Sequence, residues 1–328
     1  MFGFAAGTKK CKSRNYPVND RSNDNTAAIM EETARLNPSI HTIHIDSLPE
    51  GWLGKNHALA KGVEQAKGNY FLFTDADILF TPNACSKALT YLKKEQADHL
   101  TVSPDLRANS LLLRGFISYF LFGFSVLKRP WTANRSKTAG GMGIGAFQLI
   151  KRSCYQGIGG HEKLKFRPDD DLALGERVKR FGYKQRLATG LHSLSVEWYP
   201  SLSLAFKGFE KNAFAGLNYS VWRGLFAVIC LIMTQLLPYV FLFSSLHSVQ
   251  IISALNLLLL FCLYAIAIKS LTRCSVFIIA GQPIYALLFV YMLMRALILT
   301  WIRGGIEWRG NRYPLHELKQ YYKNSKED

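Results

Sequence analysis

The sequence has few cysteines and no C-x-x-C pair: Cys11, Cys85, Cys154, Cys230, Cys262 and Cys274 stand apart, two of them in apolar runs. That spacing argues against a zinc site or a disulfide framework and for reduced thiols in a cytosol-facing protein. A secretory leader is not expected: residues 1–7 are too short for an apolar h-region and are followed by Lys9, Lys10 and Lys12. Acidic side chains are scarce, with 23 Asp and Glu against 40 Lys and Arg and a formal charge of +17. Such an imbalance suits nucleic acid, anionic lipid or a phosphorylated substrate. No basic stripe interleaved with aromatics occurs in the polar part, so nucleic acid is not the expected partner.

What the chain has instead is apolar sequence, 49% overall and concentrated after residue 224. Three stretches, 224–245, 249–268 and 275–302, each reach the roughly 20 residues needed to cross a bilayer core. Arg295 is the one charge inside them, and it can snorkel. Lys207, Lys211 and Arg223 precede the first stretch, no Lys or Arg lies in 245–250, and Lys269 and Arg273 lie between the second and third. By the positive-inside rule this puts the polar domain in the cytoplasm. Three crossings would leave the C-terminal tail outside, yet Arg303, Arg309, Arg312, Lys319, Lys323 and Lys326 argue that it stays inside. One stretch is therefore expected to be interfacial or re-entrant, with the third, broken by Gly281-Gln282-Pro283, the first suspect. A fourth apolar segment, 111–127, is flanked by Arg107, Arg114, Lys128 and Arg129. It reads as a helix packed on the domain or lying at the membrane surface.

The polar part alternates helix and strand signals. Helices are expected at Thr26–Leu36 (capped by Asn25 or Thr26), 56–67, 85–94 and 172–180, with strands at 42–45 and Tyr70–Phe73. Alternation of this kind implies an α/β domain with a mostly parallel sheet flanked by helices, its ligands beyond the strand ends.

Two acidic clusters carry the chemistry. Asp75 and Asp77 sit two apart at the end of the apolar run Phe71-Leu72-Phe73. Carboxylates there suit a hard cation, Mg²⁺ or Mn²⁺, that keeps open positions for a diphosphate. Surface acidic pairs are also common, and position after an apolar strand is what raises this one. Asp169, Asp170 and Asp171 precede a helix. Capping explains acids there, but three exceed what a cap needs, and mutual repulsion would raise at least one pKa, as suits a general base.

The order of motifs resembles the family 2 glycosyltransferases of GT-A fold. Val18-Asn19-Asp20-Arg21-Ser22-Asn23-Asp24-Asn25-Thr26 is similar to the family's nucleoside-binding turn, Gly51-Trp52-Leu53-Gly54-Lys55-Asn56-His57-Ala58 to its G-W-x-G-K-N-x-A segment, and Phe73-Thr74-Asp75-Ala76-Asp77 to its metal strand. Gly145-Ala146-Phe147 with Gly157-Ile158-Gly159-Gly160-His161 is similar to its acceptor-side region, Asp170-Asp171-Leu172-Ala173-Leu174-Gly175 to its catalytic motif, and Trp308-Arg309-Gly310-Asn311-Arg312-Tyr313 to the tail of membrane-bound members. The hopanoid-associated and carotenoid-type subgroup is nearest in pattern.

The resemblance implies an inverting, metal-dependent enzyme that moves a sugar from a nucleotide-diphosphate donor, UDP in the first instance, to a lipid or isoprenoid-type hydroxyl at the membrane. Asp171 would be the general base, with Asp170 beside it. Asp20, Lys55 and Asp75 would bind the donor, and Arg309 and Arg312 would clamp its diphosphate or, equally, lipid headgroups. Asp77 with Asp75 would hold the metal. Gly145, His161, Trp198 and Tyr199 would lie on the acceptor side, although packing suits His161 and interface anchoring suits the aromatic pair as well.

Two departures stand out. Family members open with a strand reading V-S-V-I-I-P, whereas residues 1–17 hold no apolar strand, and Asn19 replaces the first Asp of the turn. The central strand of the nucleotide-binding half is thus expected to be missing, as in a truncated chain. The rival expectation is a truncated, non-catalytic membrane homologue that binds lipid or a partner protein. The expected layout is a cytosolic catalytic domain over 1–223, transmembrane or re-entrant helices over 224–302, and a basic cytosolic tail over 303–328.

Overall fold

The computed structural model describes residues 2–5, 12–135, 140–216, 220–308 and 311–314. The chain divides into two compact units: Met1–Pro104 with Pro130–Ser195, and Asp105–Arg129 with Val196–Asp328. Segment 105–129 and everything from Val196 onward thus group with the apolar helices, where the sequence had suggested a division near 223.

Unit 1 contains strands β1 (Phe2–Ala5), β2 (Lys12–Asn15), β3 (Val18–Asp20), β4 (Ile43–Ile45), β5 (Tyr70–Phe73), β6 (Leu79–Phe80), β7 (His99–Ser103), and, in unit 2, β8 (Asp105–Arg107) follows directly. After the excursion into unit 2 come β9 (Gln148–Lys151), β10 (Gln185–Thr189) and β11 (Leu194–Glu197), the last running across the boundary. The unit's helices are α1 (Thr26–Leu36), α2 (Gly54–Gln65) and α3 (Ala84–Lys94) before that excursion. The helix α4 (Leu111–Lys128) belongs to unit 2, and α5 (Arg152–Gly157) and α6 (Asp170–Arg180) return to unit 1.

The main sheet runs β10-β7-β9-β5-β1-β2. Successive side chains of β5 point to opposite faces, as the pleat requires. Phe71 and Phe73 join Ile150, Tyr155, Leu174 and Val178 on one side, and Leu72 joins Leu89, Leu92, Leu100 and Leu149 on the other. A sheet covered on both faces explains why β5 reads as an unbroken apolar run. The α/β class expected from the alternation is therefore present, with one correction. Only β10 and β7 pair in parallel in this sheet; β7–β9, β9–β5, β5–β1 and β1–β2 are antiparallel. The parallel pair β3–β4 forms a separate small sheet.

A second correction concerns the start of the chain. The stretch expected to hold no strand forms β1, whose Phe2, Gly3 and Phe4 pair with Leu72, Phe71 and Tyr70. The backbone groups along one side of β5 would otherwise be unpaired, and this need recruits a short segment that local propensity does not single out. The polar β2 closes that side, as charged edge strands do.

Unit 2 contains α4, α7 (Leu202–Gly216), α8 (Val221–Leu231), a π-helical turn at Ile232–Leu236, α9 (Leu237–Phe241), α10 (His247–Leu271) and α11 (Gln282–Arg303). The hairpin β12 (Gly305–Trp308) and β13 (Asn311–Pro314) follows. Four helical stretches, Leu111–Lys128, Val221–Phe241, His247–Leu271 and Val276–Arg303, are long and apolar enough to cross a membrane. Gly281-Gln282-Pro283 does not break a helix: it joins a 3-10 turn, Val276–Gly281, to the first residues of α11, where proline is tolerated. The irregularity falls in the first stretch instead, at the π-helical turn before Pro238.

Candidate active site

The site grows from four segments of unit 1: the start of α2, the end of β5, the loop around Gly145 and the start of α6. In the first, Asn56 is buried, and its amide donates to the carbonyls of Leu164 and Arg167, at 2.5 and 2.9 Å. Leu53 N–H donates to Lys165 O at 2.7 Å. These bonds strap the start of α2 to the segment that leads into the three aspartates.

The three aspartates do not share one environment. Asp169 takes a two-pronged ion pair from buried Arg167, at 2.8 and 2.7 Å. It makes no side-chain cap bond to α6, although it occupies the cap position. Asp170 is buried and lies 3.4 Å from the Lys55 ammonium. Asp171 accepts the Gly145 N–H on Oδ2 and the Leu172 N–H on Oδ1, both at 2.8 Å. Each carboxylate thus has its own positive or N–H partner, so the crowding expected from the sequence is relieved at each one.

Lys55 joins this cluster to the end of β5, its Nζ 3.2 Å from Asp75 Oδ1. Burial pulls its pKa down, but Asp170, Asp75 and Asp171 together outweigh that and hold it well above the usual lysine value. The side chain stays 28% exposed, so the charge remains reachable from outside.

Gly145 sits at the meeting point. A Cβ there would fall 2.8 Å from Asp75 Oδ2, 3.3 Å from Asp171 Oδ2 and 3.4 Å from Lys55 Nζ. The backbone of its loop is pressed against α6. A Cβ on Gly141 would meet Gly175 O at 2.0 Å, and one on Gly175 would meet the Met142 carbonyl at 2.2 Å. Beneath the loop a buried chain of side chains holds its height. Gln185 Oε1 accepts the Met142 N–H (2.9 Å), its amide donates to His99 Nδ1 (2.8 Å), and His99 Nε2 donates to Gln148 Oε1 (3.1 Å). The Thr101 hydroxyl accepts the Ile144 N–H at 2.9 Å. Burial pushes the His99 imidazole down to about 4, so it is neutral.

Lys55, Asp75, Gly145 and the pair Asp170 and Asp171 therefore come together from four separate parts of the chain. Asp77, two residues beyond Asp75, is exposed. Asp20 packs against Gly54, where a Cβ would lie 2.3 Å from its Oδ2, and it is ion-paired with Arg21 at 2.8 Å. His161 is 2% exposed, bonded through Nδ1 to the Tyr155 hydroxyl at 2.7 Å and edge-on to Phe73, the packing that was the other reading of this residue. Burial, with the Lys55 charge added, pushes it down to about 3. A neutral ring sealed in the core supports the site from below and has no surface to offer an acceptor. Trp198 and Tyr199 belong to unit 2, tilted against each other, with Phe209 edge-on to Trp198 and tilted against Tyr199. Arg309 lies outside the described residues, as does the side chain of Arg312.

The sequence reading missed the positioning residues: Asn56, Gln185, His99, Gly141 and Gly175. Asn56 and Gly175 stood inside quoted motifs without a role, the glycine run before Ala146 signalled close backbone approach, and nothing local pointed to Gln185 or His99.

Among the described residues no three His, Cys, Asp or Glu side chains converge well enough to hold a metal ion alone. Asp75 and Asp77 are hard oxygen donors without soft ligands nearby. That set suits Mg²⁺ or Mn²⁺ only when phosphate oxygens and water complete the shell.

Comparison with known proteins adds the following. No curated protein matches the chain. Among solved structures it is similar to residues 1–349 of S. aureus TarS, at 13% identity over 91% of this chain and 86% of that one, with a TM-score of 0.37. The same TarS fragment in complex with UDP-GlcNAc gives 12% identity, 91% and 86% coverage and a TM-score of 0.38. A longer TarS structure gives 14%, 84%, 49% and 0.38. Residues 10–159 match the family described as Glycosyl transferase family 2. The stretch that matches this family model carries Asp20, Lys55, Asp75, Asp77 and Gly145, and it lies in the α/β unit described above.

Proposed function

We propose that the protein is an inverting, metal-dependent glycosyltransferase that moves a sugar from a UDP-type donor to the hydroxyl of a lipid or isoprenoid-type acceptor at a membrane. In motif pattern it falls with the hopanoid-associated and carotenoid-type enzymes. The observation that carries this reading is the meeting of Lys55, Asp75 and Asp171 around Gly145.

Asp171 takes the proton of the acceptor hydroxyl. Its two backbone N–H bonds hold the carboxylate in one orientation while leaving a lone pair on each oxygen. The acceptor oxygen forms the new bond to the anomeric carbon as the bond to the leaving diphosphate breaks on the opposite face, so the configuration inverts. Lys55, fixed by Asp170 and Asp75, supplies positive charge beside the donor. Asp77 and Asp75 would hold Mg²⁺ or Mn²⁺, which when bound neutralises charge on the diphosphate. The four apolar stretches support an acceptor that resides in a bilayer.

The test is UDP release by the full chain in lipid vesicles, with Mn²⁺ and with chelator. Release that needs both the metal and Asp171 supports the enzyme. Equal, background release from wild type and Asp171→Asn supports the non-catalytic homologue instead.

A further inference from the structure

By length and composition α4 qualifies as a membrane span. Chain connectivity says otherwise. The chain leaves unit 1 at Pro104 and returns to it at Pro130. The strand before this excursion, β7, and the strand after it, β9, are hydrogen-bonded neighbours in one sheet. A folded sheet cannot have its strands on two sides of a bilayer, so both ends of α4 must emerge on one side. A re-entrant hairpin would satisfy this only with a break. α4 has none: its 18 residues form one helix of about 27 Å.

Three further observations agree. Exposed leucines occur at both ends, Leu111 (72%) and Leu127 (81%), so each end offers apolar surface that no other part of the described chain covers. Basic residues also bracket both ends, Arg107 and Arg114 at one and Lys128 and Arg129 at the other. The inward face of α4 meets one end of the α10–α11 pair. Ser118 Oγ lies 2.8 Å from the Tyr264 hydroxyl, and Tyr285 fills the space a Cβ on Gly115 would need. Tyr264 is seven residues before the end of α10 at Leu271, and Tyr285 is three after the start of α11 at Gln282. The basic residues Lys269 and Arg273 lie at the turn between them.

We propose that α4 lies in the membrane plane, its leucines in the acyl boundary and its basic ends on anionic lipid headgroups. This inference does not depend on the sugar-transfer reading. An in-plane helix of this composition takes part of its hold from apolar burial and part from headgroup charge.

The test uses the full chain with its native cysteines replaced by alanine and a wild-type melting temperature confirmed. Single cysteines at Leu111→Cys, Gly123→Cys and Leu127→Cys carry a fluorophore in vesicles of phosphatidylcholine and phosphatidylglycerol. Gly123 has open space where a side chain would go. Leu258→Cys, on the exposed face of α10, calibrates the deep position. All three α4 sites are expected to be quenched about twofold more by a quencher at acyl carbon 5 than at carbon 12, with the reverse at 258. A membrane-impermeant maleimide is expected to reach 111 and 127 from the side that labels Glu32→Cys in unit 1. Deep quenching at 123, no quenching at any α4 site, or labelling of 111 and 127 from opposite sides overturns the proposal. Quenching that is unchanged when phosphatidylglycerol is omitted overturns the headgroup contribution.

Discussion

At the scale of single residues, the three adjacent aspartates differ in their partners, and the proposed base is the one held by backbone N–H groups. Asp169 is paired with Arg167, Asp170 with Lys55, and only Asp171 is held by backbone N–H groups alone. Replacing Asp171 with Asn keeps the shape and removes the base. A drop in kcat of about 10²–10⁴ is expected with little change in donor KM, measured as initial rates over a donor titration. Asn56 is of another kind. Its buried amide bonds hold the start of α2, so Asn56→Ala should cost about 1–3 kcal/mol, read as a lower denaturation midpoint. The motif that contains Asn56 was visible in the sequence. Its role was not, because its partners lie more than a hundred residues away and nothing local names them.

At the scale of elements, the contact between α6 and the glycine loop decides where Asp171 points. Gly175 has no room for a side chain against Met142. Gly175→Ala must push α6 and the loop apart, an overpacking that costs about 1–3 kcal/mol or more. The expected result is a lower melting temperature together with loss of the Asp171 function, seen as reduced turnover in the fraction that remains folded. β5 was legible as a strand because four apolar residues in a row with both faces covered can hardly be anything else. β1 was not, because Phe-Gly-Phe-Ala becomes a strand only when β5 supplies a partner. The same limit explains the pairing directions. Alternating helix and strand signals imply parallel neighbours when each strand pairs with the next, but β9 inserts between β5 and β7 and turns both pairings antiparallel.

At the scale of the whole molecule, two buried histidines tie stability to pH. His99 and His161 are neutral in the fold, pushed down to about 4 and about 3, each mainly by burial. The unfolded chain takes up protons at these positions near pH 6.5 while the folded chain does not. Their contribution is therefore fully present above about pH 6.5 and is lost as the pH falls towards the folded values, at roughly 1.4 kcal/mol per pH unit for each. The melting temperature measured from pH 7.5 to 4.5 should fall, and His161→Phe should flatten the slope; an unchanged slope in that variant would show that the ring charges freely in the fold. The order of the apolar helices carries a second consequence. α7 before the last three stretches and β12 after them touch within unit 2. If the apolar stretches cross a bilayer, both ends of that segment would lie on one side of it and the number of crossings would be even, as the basic tail also implies. A fluorescent reporter fused after Asp328 should report the same side as Glu32→Cys.

The sequence by itself determined what short-range physics can specify: the apolar periodicity of α2, α3 and α6, the buried strand β5, the apolar stretches, and the acidic motifs that bear the chemistry. Tertiary structure alone decided that Asp75 and Asp171 face one glycine, that His161 is sealed in the core, that β1 exists, and that α4 packs with α10 and α11. Each of these depends on which distant backbone or side-chain group satisfies a buried polar one. That choice is made by the assembled sheet and its packed loops, so no window along the chain contains it.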